Sequence, residues 1–289
     1  MTTQTQAVAD TATELQAGVE EAAVKAIPWV EKLARFGYAA KGVVYTVIGI
    51  LALQLAMGTG GEATGPEGAL STIGQQPFGR ALLAIMAAGL LAYALWRLVQ
   101  AVVDPEHKGK DAKGLAQRAG YVASGLTYGA LGLLAGRMAL GQAGGGSGGQ
   151  SQEDWTARLL AQPFGVWLVA LVGLVIIGVG LYQFYYGVSG KFRKELKLQQ
   201  MSQAEVTWAT RAGRLGYAAR GVVYAMTGGF FILAALRTNP EAAGGFGQAL
   251  AELARQPYGP WLLGLVALGV FCYGVYSFVQ ARYRRIFAR

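Results

Sequence analysis

Three tyrosines stand at one place in three copies of a motif, each with a polar or basic residue four positions before it. Tyr45 follows Lys41, Tyr128 follows Ser124 and Tyr224 follows Arg220, within RFGYAAKGVVY (35–45), RAGYVASGLTY (118–128) and RLGYAARGVVY (214–224). Each motif opens a long apolar run. Phenols and cations in such surroundings offer two chemistries. They can hold an anion, because Lys and Arg only donate, or they can hydrogen-bond between helices as packing. Acid–base catalysis is not on offer. No carboxylate falls inside the apolar runs, and Glu62, Glu67, Glu153, Asp154, Glu241 and Glu252 all lie in the connections on one side. Proton-coupled transport ordinarily needs an intramembrane carboxylate or histidine, and the runs hold neither. The single histidine, His107, and the single cysteine, Cys272, cannot build a haem pair, a zinc site or an internal disulfide. The expectation is no metal, no cofactor and no enzyme.

Depth decides which of these residues need explaining. A helix rises 1.5 Å per residue, so with Gly37 at the interface Lys41 lies about 6 Å and Tyr45 about 12 Å beyond it. A lysine stem can snorkel over the first distance. A phenol at the second lies deeper than an interfacial aromatic and seeks a partner. Tyr45, Tyr128 and Tyr224, with Lys41, Ser124 and Arg220, are therefore expected to form an inward-facing polar ring. Positions 37, 41, 45 and 49 share one helix face, and its glycines allow a neighbour close. Arg35, Arg118 and Arg214 read as interface anchors. Arg97 reads the same way, 20 residues after Pro77 and so about one bilayer thickness along a helix. Its counterparts are Gln183 and Ser277, preceded by Trp96, Tyr182 and Tyr276 in the manner of an aromatic belt.

The elements that must position these residues are helices. The chain is 53% hydrophobic and only 14% charged, with a mean hydropathy of +0.34, whereas soluble domains carry about 25% charged residues. Six apolar stretches, at 36–57, 78–103, 119–140, 164–187, 215–236 and 258–281, meet the length of about 20 residues that a spanning helix needs. The fold class expected is all-α: a polytopic membrane protein with six transmembrane helices, built as three tandem helix-hairpin repeats in a pseudo-threefold arrangement. Its parts are a polar N-terminal segment (1–30) and repeats at 31–105, 114–190 and 208–285. The N-terminal segment suits an amphipathic helix or a disordered tail, and lacks the pattern of a secretory signal.

Each repeat contains QPFG or QPYG, at 76–79, 162–165 and 256–259. The prolines there suit the first turn of the following helix. The preceding segments, with Leu70 and Ile73, Trp155, Leu159 and Leu160, and Leu250 and Leu253, read as short helices lying in the interface. The Gly/Ser-rich stretch at 141–152 reads as a flexible linker. Twenty of the 25 lysines and arginines fall on the side of the termini, which puts both termini in the cytoplasm. The formal charge of +9 flanks apolar runs rather than covering a soluble face, so nucleic acid is not an expected partner. The lipid bilayer and anionic lipid headgroups are.

The three RxGYxxxGxxY…QP[FY]G units resemble a bacterial membrane family known as domain of unknown function 1206, over roughly residues 32–285. The resemblance implies three tandem transmembrane helix pairs and residence in the bacterial cytoplasmic membrane, and carries no activity and no site residues. The second copy departs from the others, with Ser124 in the basic position and a long Gly/Ser insertion, so a ligand at that level would meet an asymmetric site. The first functional reading is a non-catalytic structural or interaction protein. The alternative is binding or transport of a small molecule, anion or lipid through a cytoplasm-facing cavity between the repeats.

Overall fold

The computed structural model describes residues 2–106, 109, 111–142 and 148–286, with side chains for 28–106, 109, 111–142 and 153–286. Among the described residues the chain forms α1 (Thr2–Ala56), α2 (Pro66–Gly74), α3 (Gly79–Val103), α4 (Ala112–Ala139), α5 (Gly148–Leu160), α6 (Gly165–Ser189), α7 (Gln203–Arg237), α8 (Phe246–Arg255) and α9 (Gly259–Tyr283). The fold is all-α. Among the described residues five helices are long and apolar enough to cross a membrane: Pro28–Ala56 within α1, and α3, α6, α7 and α9. They point to a multi-pass membrane protein. Helix α4, expected as the third span, is 28 residues long but carries Arg118, Ser124, Thr127 and Arg137 among its glycines, and does not reach that apolarity.

Helix α1 runs without a break through Pro28, so the N-terminal segment is continuous with the first repeat. A proline inside a helix removes one backbone donor, and the helix continues past it. Residues 143–147 of the expected linker lie outside the described residues, and helix α5 begins already at Gly148.

The helices follow one packing rule. Helix α3 lies along α4, α6 along α7, and α9 along α1. The second long helix of each repeat thus packs on the first long helix of the next, and the last on the first. Glycines make this contact close in all three places. A Cβ on Gly49, Gly132 or Gly228 would lie 2.6, 3.1 and 2.8 Å from the backbone of Phe271, Leu91 and Ile177, respectively. Between helices that gain nothing from excluding water, such close packing is a main source of attraction.

Packing within repeats is not uniform. Helix α1 packs on α3 and α7 on α9, whereas α4 and α6 barely touch. A Cβ on Gly37 would lie 2.6 Å from the backbone of Tyr93, and one on Gly216 2.7 Å from that of Tyr273. At the corresponding Gly120 nothing lies within 4 Å. Helix α6 supplies the reason. Gly89 of α3 receives Ala40, and Gly269 of α9 receives Ala219, but the same register of α6 holds Val175, and Val179 replaces Tyr93 and Tyr273. A branched side chain at the clasp point keeps α4 away from α6.

The QP[FY]G corners correct one expectation. The long helices start at Gly79, Gly165 and Gly259, with Phe78, Phe164 and Tyr258 as N-caps in the left-handed region (φ 61°, 62° and 62°). The prolines lie two positions before the first helical residue, not inside the first turn. The short helices correct another. Leu70, Ile73, Leu250 and Leu253 are buried, because α2 packs on α1 and α3, and α8 on α7 and α9. These segments are lids over one end of the bundle. In α5 Trp155 is exposed, and Leu159 and Leu160 are half-buried.

Candidate functional site

The residues of the expected ring come together, though not as three equivalent phenols. The Tyr128 hydroxyl donates to the Tyr45 hydroxyl at 3.1 Å. Tyr224 joins through Arg220, whose guanidinium donates to the Tyr224 hydroxyl at 2.7 Å. The same guanidinium lies 4.9 Å from the Tyr45 ring centre and 4.2 Å from that of Tyr273. Its Nε is buried without a partner. On α7 the stripe of Arg220, Tyr224 and Thr227 continues this polarity, since the Thr227 hydroxyl is also buried and unpartnered. Ser124 is half-buried on α4.

Lys41 forms a second layer, nearer the end that carries the termini. It is 1% exposed, and its Nζ donates to the Tyr273 hydroxyl at 3.1 Å, the Tyr93 hydroxyl at 3.4 Å and Gln280 at 3.5 Å. The rings of Tyr38, Tyr93 and Tyr273 stand about it at 4.9–5.0 Å. Each such contact is worth up to about 2 kcal/mol once water is excluded. The phenols stack edge to face, Tyr93 on Tyr128 at 4.7 Å and Tyr45 on Tyr273 at 4.9 Å, so the two layers are one aromatic body.

Beyond Lys41, a third layer has its own counter-charges. Arg284, just past α9, pairs with Glu106 at 2.9 Å and with Glu195. Glu106 follows α3 and Glu195 follows α6, so each repeat's exit contributes one member of this knot. Gln100 and Tyr121 also donate to Glu106, at 2.8 and 2.9 Å, and Tyr186 donates to Glu195 at 2.6 Å. The backbone ties the same elements: Lys197 N–H donates to Tyr283 O and Arg285 N–H to Glu195 O, both at 2.8 Å. At the opposite end Phe246, from the start of α8, edges onto Tyr45 and Tyr224 at 6.1 and 6.3 Å. In the α2 lid, burial holds the Glu67 carboxyl above its ordinary range.

The arginines expected as anchors have more definite work. Arg35 donates to the carbonyls of Ala281 and Arg282 at the end of α9. Arg118 donates to those of Ala101 and Val102 at the end of α3. Both satisfy carbonyls that a helix end leaves orphaned; Arg118 ties α4 to the preceding α3, and Arg35 ties the first helix to the last. Arg214 is exposed and reaches the corresponding bend at Gly190 without a comparable bond. Arg97 is not an interface anchor. It turns inward, donating to the Tyr93 hydroxyl at 2.8 Å and to Gln100 at 3.0 Å. Trp96 and Tyr276 are 1% and 0% exposed, so these two are core residues, whereas Tyr182 is 50% exposed, as the belt expectation has it.

Residues 36–104, 119–190 and 215–284 each match the family described as Domain of Unknown Function (DUF1206). The chain belongs to that family. It is also 37% identical over 259 residues to the Bacillus subtilis (strain 168) protein named "Uncharacterized protein YxxB", an alignment covering 90% of this chain and 93% of the relative. No solved structure matches it.

The three DUF1206 units contribute unequally to the site. Within the matched spans the first supplies Lys41, Tyr45, Tyr93, Arg97 and Gln100, and the third Arg220, Tyr224, Tyr273, Gln280 and Arg284, whereas the second supplies the phenols Tyr121, Tyr128 and Tyr186. Glu106 and Glu195 lie just past the first and second spans. Sequence reasoning missed Tyr93, Tyr273 and Gln280. A signal for them was present, since Tyr93 and Tyr273, and Gln100 and Gln280, fall 14 and 21 positions after the glycines of their QP[FY]G corners. Glu106, Glu195 and Arg284 gave no such signal, because they lie at unmatched offsets in the connections.

Proposed function

We propose that this chain is a non-enzymatic protein of the bacterial cytoplasmic membrane that holds a small anionic group on Lys41 and Arg220. The observation that carries the reading is the missing counter-charge. Lys41 and Arg220 are 1% and 8% exposed, and among the described residues neither forms an ion pair. Taking an ion out of water costs several kcal/mol, repaid only when its partners are excellent. Arg284 has two carboxylates, whereas the deeper cations have phenols and an amide. An anion completes what the protein leaves open. Ionisable residues at such depth are functional by default.

In this reading α4 is the sixth span. The cyclic packing of α3 on α4, α6 on α7 and α9 on α1 supports a pseudo-threefold bundle with one loosened side. The basic end, with both termini, faces the cytoplasm by the positive-inside rule. The test is thermal unfolding of delipidated protein in a neutral detergent, titrated with inorganic phosphate, glycerol phosphate and short-chain phosphatidylglycerol. A ligand that binds only the folded state raises Tm with concentration. At least one of these anions should do so, and Lys41→Met combined with Arg220→Met should abolish the shift. If no anion stabilises the protein, the cluster is packing and the structural reading replaces this one.

A further inference from the structure

Lys41 and Arg220 lie between two closed ends. Toward the termini the Arg284 knot ties together the exits of all three repeats. Toward the lids Phe246 covers Tyr45 and Tyr224, and the α2 and α8 N-termini meet, with a Cβ on Gly247 reaching within 2.9 Å of Gly65 N. The sides are clasped twice, at Gly37 against Tyr93 and at Gly216 against Tyr273, and unclasped once, at Gly120. The approach left is lateral, between α4 and α6.

That side is apolar on its rim and polar behind it. Leu126 of α4 and Val175 and Val179 of α6 are 65%, 57% and 45% exposed. On the inner registers of the same two helices lie Ser124 and Gln183, and the Gln183 Oε1 is buried without a partner. Deeper still is Arg220 with its unpartnered Nε. A free inorganic anion crossing hydrocarbon to this side is strongly disfavoured. An anion attached to acyl chains arrives with the bilayer as its reservoir.

We infer that the group held on Lys41 and Arg220 is the phosphate of an anionic glycerolipid, which enters sideways between α4 and α6 and leaves its acyl chains against those helices' apolar faces. The inference rests on the anion reading above and names its substrate class. Charge complementarity selects an anionic over a zwitterionic lipid, because among the described residues neither cation forms an ion pair with a carboxylate.

The test compares short-chain phosphatidylglycerol, short-chain phosphatidylcholine and chain-free glycerol phosphate by thermal shift in neutral detergent. It uses the wild type, Val175→Trp to fill the side, and Leu265→Trp as a control on the exposed face of α9. Both tryptophans replace exposed side chains, so the unliganded proteins should melt like the wild type. The expected result is a shift with phosphatidylglycerol alone, lost in Val175→Trp and kept in Leu265→Trp. If glycerol phosphate shifts Tm as well as the lipid does, and Val175→Trp keeps the shift, the anion reading stands and the lateral lipid is overturned. If phosphatidylcholine matches phosphatidylglycerol, the headgroup claim is overturned. If nothing binds, both readings fall together.

Discussion

The first and second repeats are built on the same motif, yet the first closes on itself and the second does not. In the first, Gly37 meets Tyr93 and Ala40 meets Gly89; in the second, Gly120 meets nothing and Val175 stands where the receiving glycine would be. The first helices of the two repeats carry the same residues at the clasping positions, Gly37 and Gly120, Ala40 and Ala123, so the difference lies in the partner. A small residue permits close approach only if the facing helix is small at the same level. The third repeat, clasped like the first through Gly216 and Gly269, shows that closure follows this pair of positions and not the order of the repeats.

The comparison can be broken most severely at the Arg284 knot, which fastens the exit of the unclasped repeat to those of the other two. Arg284→Ala leaves Glu106 and Glu195 without their shared cation, and stability should fall by about 3–5 kcal/mol, read by denaturant unfolding in detergent. If the loss stays within about 0.5 kcal/mol, the range of an ordinary surface change, the knot does not hold the repeats together. A more selective cut uses the motif glycines. Gly37→Ala and Gly216→Ala drive a methyl into the neighbouring backbone and should each cost about 1–3 kcal/mol. Gly120→Ala meets nothing and should be neutral, or stabilise by up to about 1 kcal/mol through helix propensity. Equal losses in all three would mean that α4 and α6 are clasped after all.

The smallest effect sharpens the contrast at the lids, where the first repeat has Glu67 and the third has Gly247. Burial raises the Glu67 carboxyl above 4.5 in the folded protein. The folded state therefore holds this proton to higher pH than the unfolded chain does, and stability falls as pH rises through that window. Glu67→Gln should melt slightly higher than wild type at neutral pH, and should lose this part of the acid stabilisation. An unchanged pH profile in the variant would remove Glu67 as its source.

Much of the fold was legible because three copies of one pattern fix helix length, register and glycine faces at once. The same comparison places Tyr45, Tyr128 and Tyr224 at one level and Lys41 and Arg220 one turn nearer the termini, since depth follows from rise per residue. What escaped were features that depend on which helix faces which. Arg35 and Arg118 look like interface anchors until a neighbouring helix end is found beneath them. Arg97 looks interfacial by depth alone, but Tyr93 and Gln100 turn it inward. The lids look like helices lying on lipid because an amphipathic helix has the same pattern whether its apolar face meets lipid or protein. Glu106, Glu195 and Arg284 sit in irregular connections, where no periodicity announces a contact between residues 178 and 89 positions apart.

The central claim is that Lys41 and Arg220 hold the phosphate of a lipid that reached them between α4 and α6. The most direct measurement is a structure determined in nanodiscs of phosphatidylglycerol. A phosphate is expected within hydrogen-bonding distance of Arg220 Nε or Lys41 Nζ, with acyl chains running out past Ser124 and Val175. Helices α4 and α6 in contact along their length, with Arg220 surrounded by phenols alone, would contradict it.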